Sequence, residues 1–285
     1  MSRNVKKALA VTIGALALVA VTATTAPAQA LVRGDASRAN DPVPPGRWRI
    51  TWQDDFDGNT LDRSKWTTYT SSYSDGCRGN LPWYKAEYNL PRNLSVNNGV
   101  LTITAKREAY TSPSGARYEW TSGLITTGSS CGHDPAAGAR VHQGDYIQVR
   151  TKLPGEVGMW PAFWTWQTSD GSWSDEVDVF EYHPENRTIL EMANHTPPDV
   201  GGNGYDAGYD LSGRWHYIGA FLGTDHVDWY LDGRKIYTDP NGFNSQGASL
   251  IVDLGVVDGT FHPKPPAEVS SARMYVDSVK VYHQC

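Results

Sequence analysis

Beyond its first thirty residues the chain has no apolar run long enough to cross a bilayer, which takes about 20 residues. It contains only three cysteines, and none form a Cys-x-x-Cys pair, so a zinc site of that type is absent. No long amphipathic helical pattern and no repeat of fixed period is found, which argues against helical bundles and repeat arrays. Positive charge is in deficit, with 25 Lys and Arg against 31 Asp and Glu and a formal net charge of -6. An acidic chain is a poor partner for nucleic acid or for a polyanionic sugar, and it suits a neutral polymer.

The one apolar run, Ala8 to Ala20, follows Arg3, Lys6 and Lys7 and precedes Ala28-Gln29-Ala30. A basic start, a short apolar stretch and a small-residue cleavage site form a secretory signal peptide, predicted over residues 1–30. No cysteine near the cleavage site suggests a lipid anchor. The mature protein is then extracellular, starts near Leu31, and carries 22 basic against 31 acidic residues. Residues 31–46, with Asp41-Pro-Val-Pro-Pro-Gly46, read as a flexible leader, in which Arg33-Gly34-Asp35 is a chance tripeptide. Residues 47–285 suit one large all-β domain, expected to be a monomer. Secretion favours a disulfide among Cys77, Cys131 and Cys285. The pair Cys77 and Cys131 is favoured, since both lie in Gly/Ser-rich loop sequence.

From Trp48 onward the apolar period is two. Leu101, Ile103 and Ala105 alternate with Thr102, Thr104 and Lys106; Ile147, Val149, Thr151 and Leu153 alternate with Gln148, Arg150 and Lys152. Such alternation marks half-buried strands. Asn97-Asn98-Gly99 and Asp232-Gly233 sit between strand-like runs and read as hairpin turns. Further strands are expected around 118–125, 161–167, 175–183, 188–195, 214–222, 248–255 and 273–282. Many strands with turn signals between them predict an antiparallel sandwich.

The chemistry concentrates in Ser174-Asp-Glu-Val-Asp-Val-Phe-Glu-Tyr-His183. On a regular strand Glu176 and Asp178 share a face and Glu181 points the other way. A β-bulge between Asp178 and Glu181 restores the parity. Glu181 then stands four strand positions from Glu176, about 13 Å along the backbone. Side chains leaning inward by up to ~4 Å each, on a concave sheet, bring the carboxyls near the roughly 5–5.5 Å used by retaining glycosidases. Inversion, which needs about 6.5–9.5 Å, is the second reading. One carboxylate attacks the anomeric carbon, the other is protonated for the leaving sugar, and Asp178 between them helps separate their pKa values. An acidic strand face or a cation site is the bland alternative.

The chain has 11 Trp and 15 Tyr. Sugar rings stack their C–H faces on aromatic faces. Trp160, Trp164 and Trp166 have one parity, just before the acid strand, and Trp160 and Trp164 are read as cleft residues. Trp166 and Trp173 are even choices between cleft and core. His195 is a candidate partner for a neighbouring carboxylate. Trp48, Trp52, Trp66, Trp215 and Trp229 are left as core or edge.

Glu176-Val-Asp-Val-Phe-Glu181 resembles the E-x-D-x-x-E signature of glycoside hydrolase family 16 in its bulged form. Trp160-Pro-Ala-Phe-Trp164, preceded by Arg150-Thr-Lys-Leu-Pro154, looks like the strand leading to it in bacterial laminarinases. Segments beginning at Trp52, Asn93, Trp229 and Val276 fall in the family's order, so the resemblance spans about residues 48–282. It implies a concanavalin-like β-jelly roll of two curved antiparallel sheets with an open cleft. Glu176 then matches the nucleophile, Asp178 the assisting acid and Glu181 the acid/base. Trp160, Trp164, His195, Trp173 and Asn93 are the substrate-binding candidates. Asp277 and the carbonyl of Gly99 match a structural calcium site, and no catalytic cofactor is implied. Leu81-Pro-Trp-Tyr-Lys-Ala-Glu-Tyr88 and Leu190-Glu-Met-Ala-Asn-His195 depart from the laminarinase pattern where sugar subsites are expected. The implied activity is endo-hydrolysis of a neutral β-linked polysaccharide, β-1,3-glucan or mixed-linkage β-glucan. A β-galactan hydrolase, a cell-wall transglycosylase and a non-catalytic carbohydrate-binding protein are the alternatives.

Overall fold

The alternating segments fold as strands in the computed structural model, which describes residues 41–285 except 82–83, 129–130, 168–175, 197–200 and 244–246. In the strand Val100–Lys106, Leu101, Ile103 and Ala105 are fully enclosed while their neighbours are half-buried. Successive strand side chains point to opposite faces, so the written alternation becomes one face in the core and one outward. Asn98 (φ 52°) and Gly99 (φ 73°) turn Leu94–Asn97 into Val100–Lys106. Asp232 (φ 49°) and Gly233 (φ 80°) turn Val227–Leu231 into Arg234–Asp239. Two successive positive φ angles fit the twist of a hairpin and need residues that tolerate them, as Asn, Asp and Gly do.

A six-stranded sheet has the spatial order Gly201–Asp206, Ile189–Asn194, Val177–Glu181, Met159–Trp166, Ser249–Val256, Leu124–Thr126. The central path of a ten-stranded sheet runs Trp215–Leu222, Asp145–Lys152, Ser271–Gln284, Val100–Lys106. Pairing within both is antiparallel, except that Glu87–Asn89 runs parallel to Trp120–Ser122 at one edge of the larger sheet. Ile103, Ile147, Val149 and Ile218 of the larger sheet share one buried cluster with Phe163, Val177, Phe180, Leu250 and Val252 of the smaller. Each such side chain stabilises the fold by roughly 1.5–3 kcal/mol of apolar burial. The result is the all-β sandwich, and its six-stranded sheet turns the opposite face outward. Among the described residues no helix is long and apolar enough to cross a membrane.

Two sequence expectations meet different outcomes here. Cys77 and Cys131 are bonded, and Cys285 is free and exposed. The flexible leader expected over 31–46 is, over its described residues, a fixed strip. Asp41 accepts hydrogen bonds from Lys280 Nζ and Tyr282 OH at 2.7 Å each, and Pro42 accepts one from Gln148 Nε2 at 2.7 Å. Val43 and Trp48 pack on the cluster of Tyr146, Tyr230 and Tyr282. Proline-rich composition removed backbone donors but left acceptors and an apolar face, and the sheet uses both.

Candidate active site

The acid strand carries the expected irregularity. Against the neighbouring strand, Glu181 pairs with Ala162 and Phe180 with Phe163, but Asp178 pairs with Trp164, so Val179 is the extra residue. On the other side Glu181 pairs with Glu191 and Asp178 with Ala193, again three residues against two. Val177, Val179, Phe180 and Tyr182 all enter the core, while Glu176, Asp178 and Glu181 line one cleft. Two successive residues, Val179 and Phe180, are thus turned inward, and Glu181 returns to the face of the earlier acids. A bulge interrupts the ladder, so its backbone needs other partners. Trp229 reaches across the sandwich and donates from Nε1 to the Asp178 carbonyl at 2.9 Å. Thr165 Oγ1 accepts the Val177 N–H at 2.9 Å, and the His195 N–H bonds the Glu176 carbonyl at 2.9 Å.

The cleft has a volume of about 620 Å³. Trp160, Ala162, Trp164 and Trp166 share its floor, as their common parity required, and Ser71 to Ser74, Asn80, Tyr84 and Lys85 form a wall. Trp160 Nε1 donates to Glu181 Oε1 at 2.7 Å. Beneath lies a buried polar network. Asp253 Oδ2 accepts from Tyr73 OH at 2.8 Å and from Lys85 Nζ at 3.1 Å, and its Oδ1 accepts from Trp164 Nε1 at 2.9 Å. Lys85 Nζ stands 4.3 Å from the Trp160 ring centre, a cation–π contact that fixes the ring bonding Glu181. Gly255 leaves room for this, since a Cβ there would stand 2.9 Å from Lys85 Nζ.

The electrostatics set these carboxyls apart from ordinary ones. Burial first, then the charge of Asp178, pushes Glu176 and Glu181 up to about 8 each. His195 opposes this at Glu176; Lys85 and the Trp160 hydrogen bond oppose it at Glu181. His195 Nε2 lies 2.9 Å from Asp178 Oδ2. Burial alone would lower its pKa, but the hydrogen bond and charge of Asp178, helped by both glutamates, push it up to about 9. The cleft therefore holds carboxyls that retain a proton near neutrality beside an imidazolium. That combination can donate a proton to one oxygen while an ionised neighbour attacks carbon.

Of the residues singled out in the sequence, Glu176, Asp178, Glu181, Trp160, Trp164 and His195 come together in the cleft. Trp173 lies outside the described residues. Asn93 does not belong to the site. It is buried in a short 3-10 turn, where its amide donates to the Thr104 carbonyl at 2.8 Å and to Thr121 Oγ1 at 3.0 Å. It fastens the edge of the larger sheet and does not face sugar. Of the expected calcium donors, Asp277 has a charged neighbour. Asp277 sits in a bulge between Val276 and Ser278, with Oδ2 3.0 Å from Arg150 Nη1. The guanidinium gives this carboxylate a counter-charge that the sequence pattern did not reveal. Sequence reading missed Tyr73 and Asp253 altogether. Tyr84 and Lys85 lay in a segment already expected near subsites, but no local pattern singled them out.

Comparison with known proteins agrees with this geometry. The model of the family "Glycosyl hydrolases family 16" matches residues 88–259. The chain is 28% identical over 267 residues to the glucan endo-1,3-beta-glucosidase A1 of Niallia circulans, covering 82% of this chain and 38% of that protein. It is 30% identical over 251 residues to the endo-1,3-1,4-beta-glycanase EglC of Rhizobium meliloti, covering 81% and 51%. It thus spans about half or less of the length of these curated relatives. In fold it is similar to the endo-beta-1,3-glucanase of Pyrococcus furiosus, with a TM-score of 0.72, 24% identity, and coverage of 84% of this chain and 95% of that one. With the family's model covering more than half of the residues, including the bulged acid strand and its tryptophan neighbour, the chain belongs to glycosyl hydrolase family 16.

Proposed function

We propose that this protein is a secreted, retaining endo-β-glucanase acting on β-1,3-glucan or mixed-linkage β-glucan. The observation that carries the reading is the bulge at Val179, which sets Glu181 on the face of Glu176 and Asp178 inside one aromatic cleft. Glu176 attacks the anomeric carbon to give a glycosyl-enzyme. Its ionised form is favoured by the His195 imidazolium, the largest of the influences that lower the Glu176 pKa. Glu181 protonates the departing glycosidic oxygen. Burial keeps its proton, and Trp160 holds Oε1. Once the leaving sugar departs, Glu181 takes a proton from water for the second displacement. Asp178, bonded to His195, stands between the two and raises the cost of ionising both at once. Four strand positions, shortened by inward-leaning side chains, support the short separation of a double displacement, about 5–5.5 Å.

The glucan assignment follows the named activities of the relatives, and an acidic chain with a tryptophan floor suits a neutral polymer. Secretion is supported by the signal-like residues 1–30 and by the Cys77–Cys131 bond, which persists in oxidising compartments. Glu176→Gln and Glu181→Gln should each lower the release of reducing ends from laminarin roughly 10²–10⁴-fold or more, with unchanged melting. Proton NMR of the first products from wild type should show the β-anomer. Near-normal turnover in either variant, or a first product of α configuration, would reject the mechanism. Lichenan in a parallel assay separates the two linkages.

A further inference from the structure

Past the Glu181 end of the cleft a smaller cavity of about 270 Å³ opens, lined in part by Trp160, Glu191, Phe261 and His262. At its base is a cluster of ligand-type side chains with no part in the glycosidic chemistry. His183, Glu185 and His262 each offer a nitrogen or carboxylate oxygen within 4.8 Å of the others. His183 and Glu185 come from the turn after the acid strand, and His262 from the loop after Ser249–Val256. His262 Nδ1 lies 2.6 Å from Glu185 Oε1, and Glu191 Oε2 lies 3.9 Å from His183 Nε2. His183 is 3% exposed. Its Nδ1 and Glu185 Oε2 are enclosed and make no hydrogen bond among the described residues. Buried polar atoms are ordinarily satisfied, so two orphans within one three-residue cluster point to a ligand.

We propose that His183, Glu185 and His262 bind a divalent transition ion of the zinc class. Imidazole nitrogens mixed with carboxylate oxygens suit zinc, whereas calcium and magnesium ask for oxygen throughout. Bonds of about 2.0–2.2 Å set tetrahedral donors about 3.5 Å apart, so Glu185 and His262, 2.6 Å apart, open by roughly an ångström to admit the ion. The two imidazoles are stacked 3.5 Å apart with 5° between their planes. An ion lies in the plane of each ring that binds it, so one ring turns out of the stack. His262, 27% exposed at its side chain against 2% for His183, is the one free to do so. The ion then ties the loop that follows Ser249–Val256 to the turn after the acid strand and stiffens that wall of the cavity.

Isothermal titration of the full chain with zinc chloride, with calcium chloride as a second arm, tests this without substrate. One zinc per chain is expected, calcium should not bind there, and zinc should raise Tm because it binds only the folded state. His262→Gln and Glu185→Gln, both at partly exposed positions, should keep the metal-free Tm, weaken zinc binding at least about tenfold and remove the zinc-dependent rise. Asp178→Asn, which disrupts the other group of acids and histidine in the cleft, should keep the zinc affinity. No zinc binding, unchanged affinity in both His262→Gln and Glu185→Gln, or loss of affinity in Asp178→Asn instead, would overturn the proposal.

Discussion

His195 shows how a single side chain sets the chemistry of its neighbours. Its imidazolium, held by Asp178, lowers the pKa of Glu176 against the combined push of burial and of Asp178 itself. The buried glutamates interact, so they release their protons in two steps that belong to the pair, and the competent form lies between them. Activity is gained as pH rises through the first step, which frees the attacking carboxylate. It is lost as pH rises through the second, which removes the proton from the acid. His195→Gln keeps a donor toward Asp178 and deletes the positive charge. The acid limb of kcat/KM should then move to higher pH, and an unmoved limb would refute the coupling. The sequence offered His195 as a carboxylate partner because it ends the strand next to the acids. It offered no reason to select Tyr73 or Asp253, because the Asp253 carboxylate stands 180 positions from Tyr73 and 168 from Lys85, the two side chains that donate to its Oδ2.

The acid strand shows how an element depends on what lies behind it. Its bulge forfeits regular ladder bonds, and the Asp178 carbonyl is satisfied by Trp229 from the opposite sheet. Trp229→Phe keeps most of the apolar volume and removes the donor. A buried carbonyl left without a partner costs about 1–3 kcal/mol. Urea denaturation should show a loss of that size, and kcat should fall more than KM rises, because Asp178 and Glu181 lose their alignment while the cleft floor remains. An undiminished kcat would mean that the bulge holds without this bond. The bulge itself was legible, because three acids on one face could not be reconciled with a regular strand. Its support by Trp229 was not, since the indole could as well have been ordinary core.

For the whole molecule the Cys77–Cys131 bond closes a 54-residue separation and anchors the segment that walls the cleft. Chain-entropy reasoning assigns such a loop about 4 kcal/mol. The double variant Cys77→Ser, Cys131→Ser should lower Tm by thermal melting and raise KM for laminarin more than it lowers kcat, since the wall loosens while the acid strand stays. A Tm equal to that of wild type would show that packing alone fixes the wall. The sequence by itself determined the all-β sandwich, the two positive-φ hairpins, the tryptophan face and the parity of the acids. All of these are local, because side-chain direction along a strand repeats every two residues. Only the tertiary structure decided that residues 41–46 are pinned, that Asn93 fastens a sheet edge, that Arg150 pairs with Asp277, and that His183 meets His262. Those depend on which distant strands lie side by side, and the period of a pattern carries no information about its neighbour.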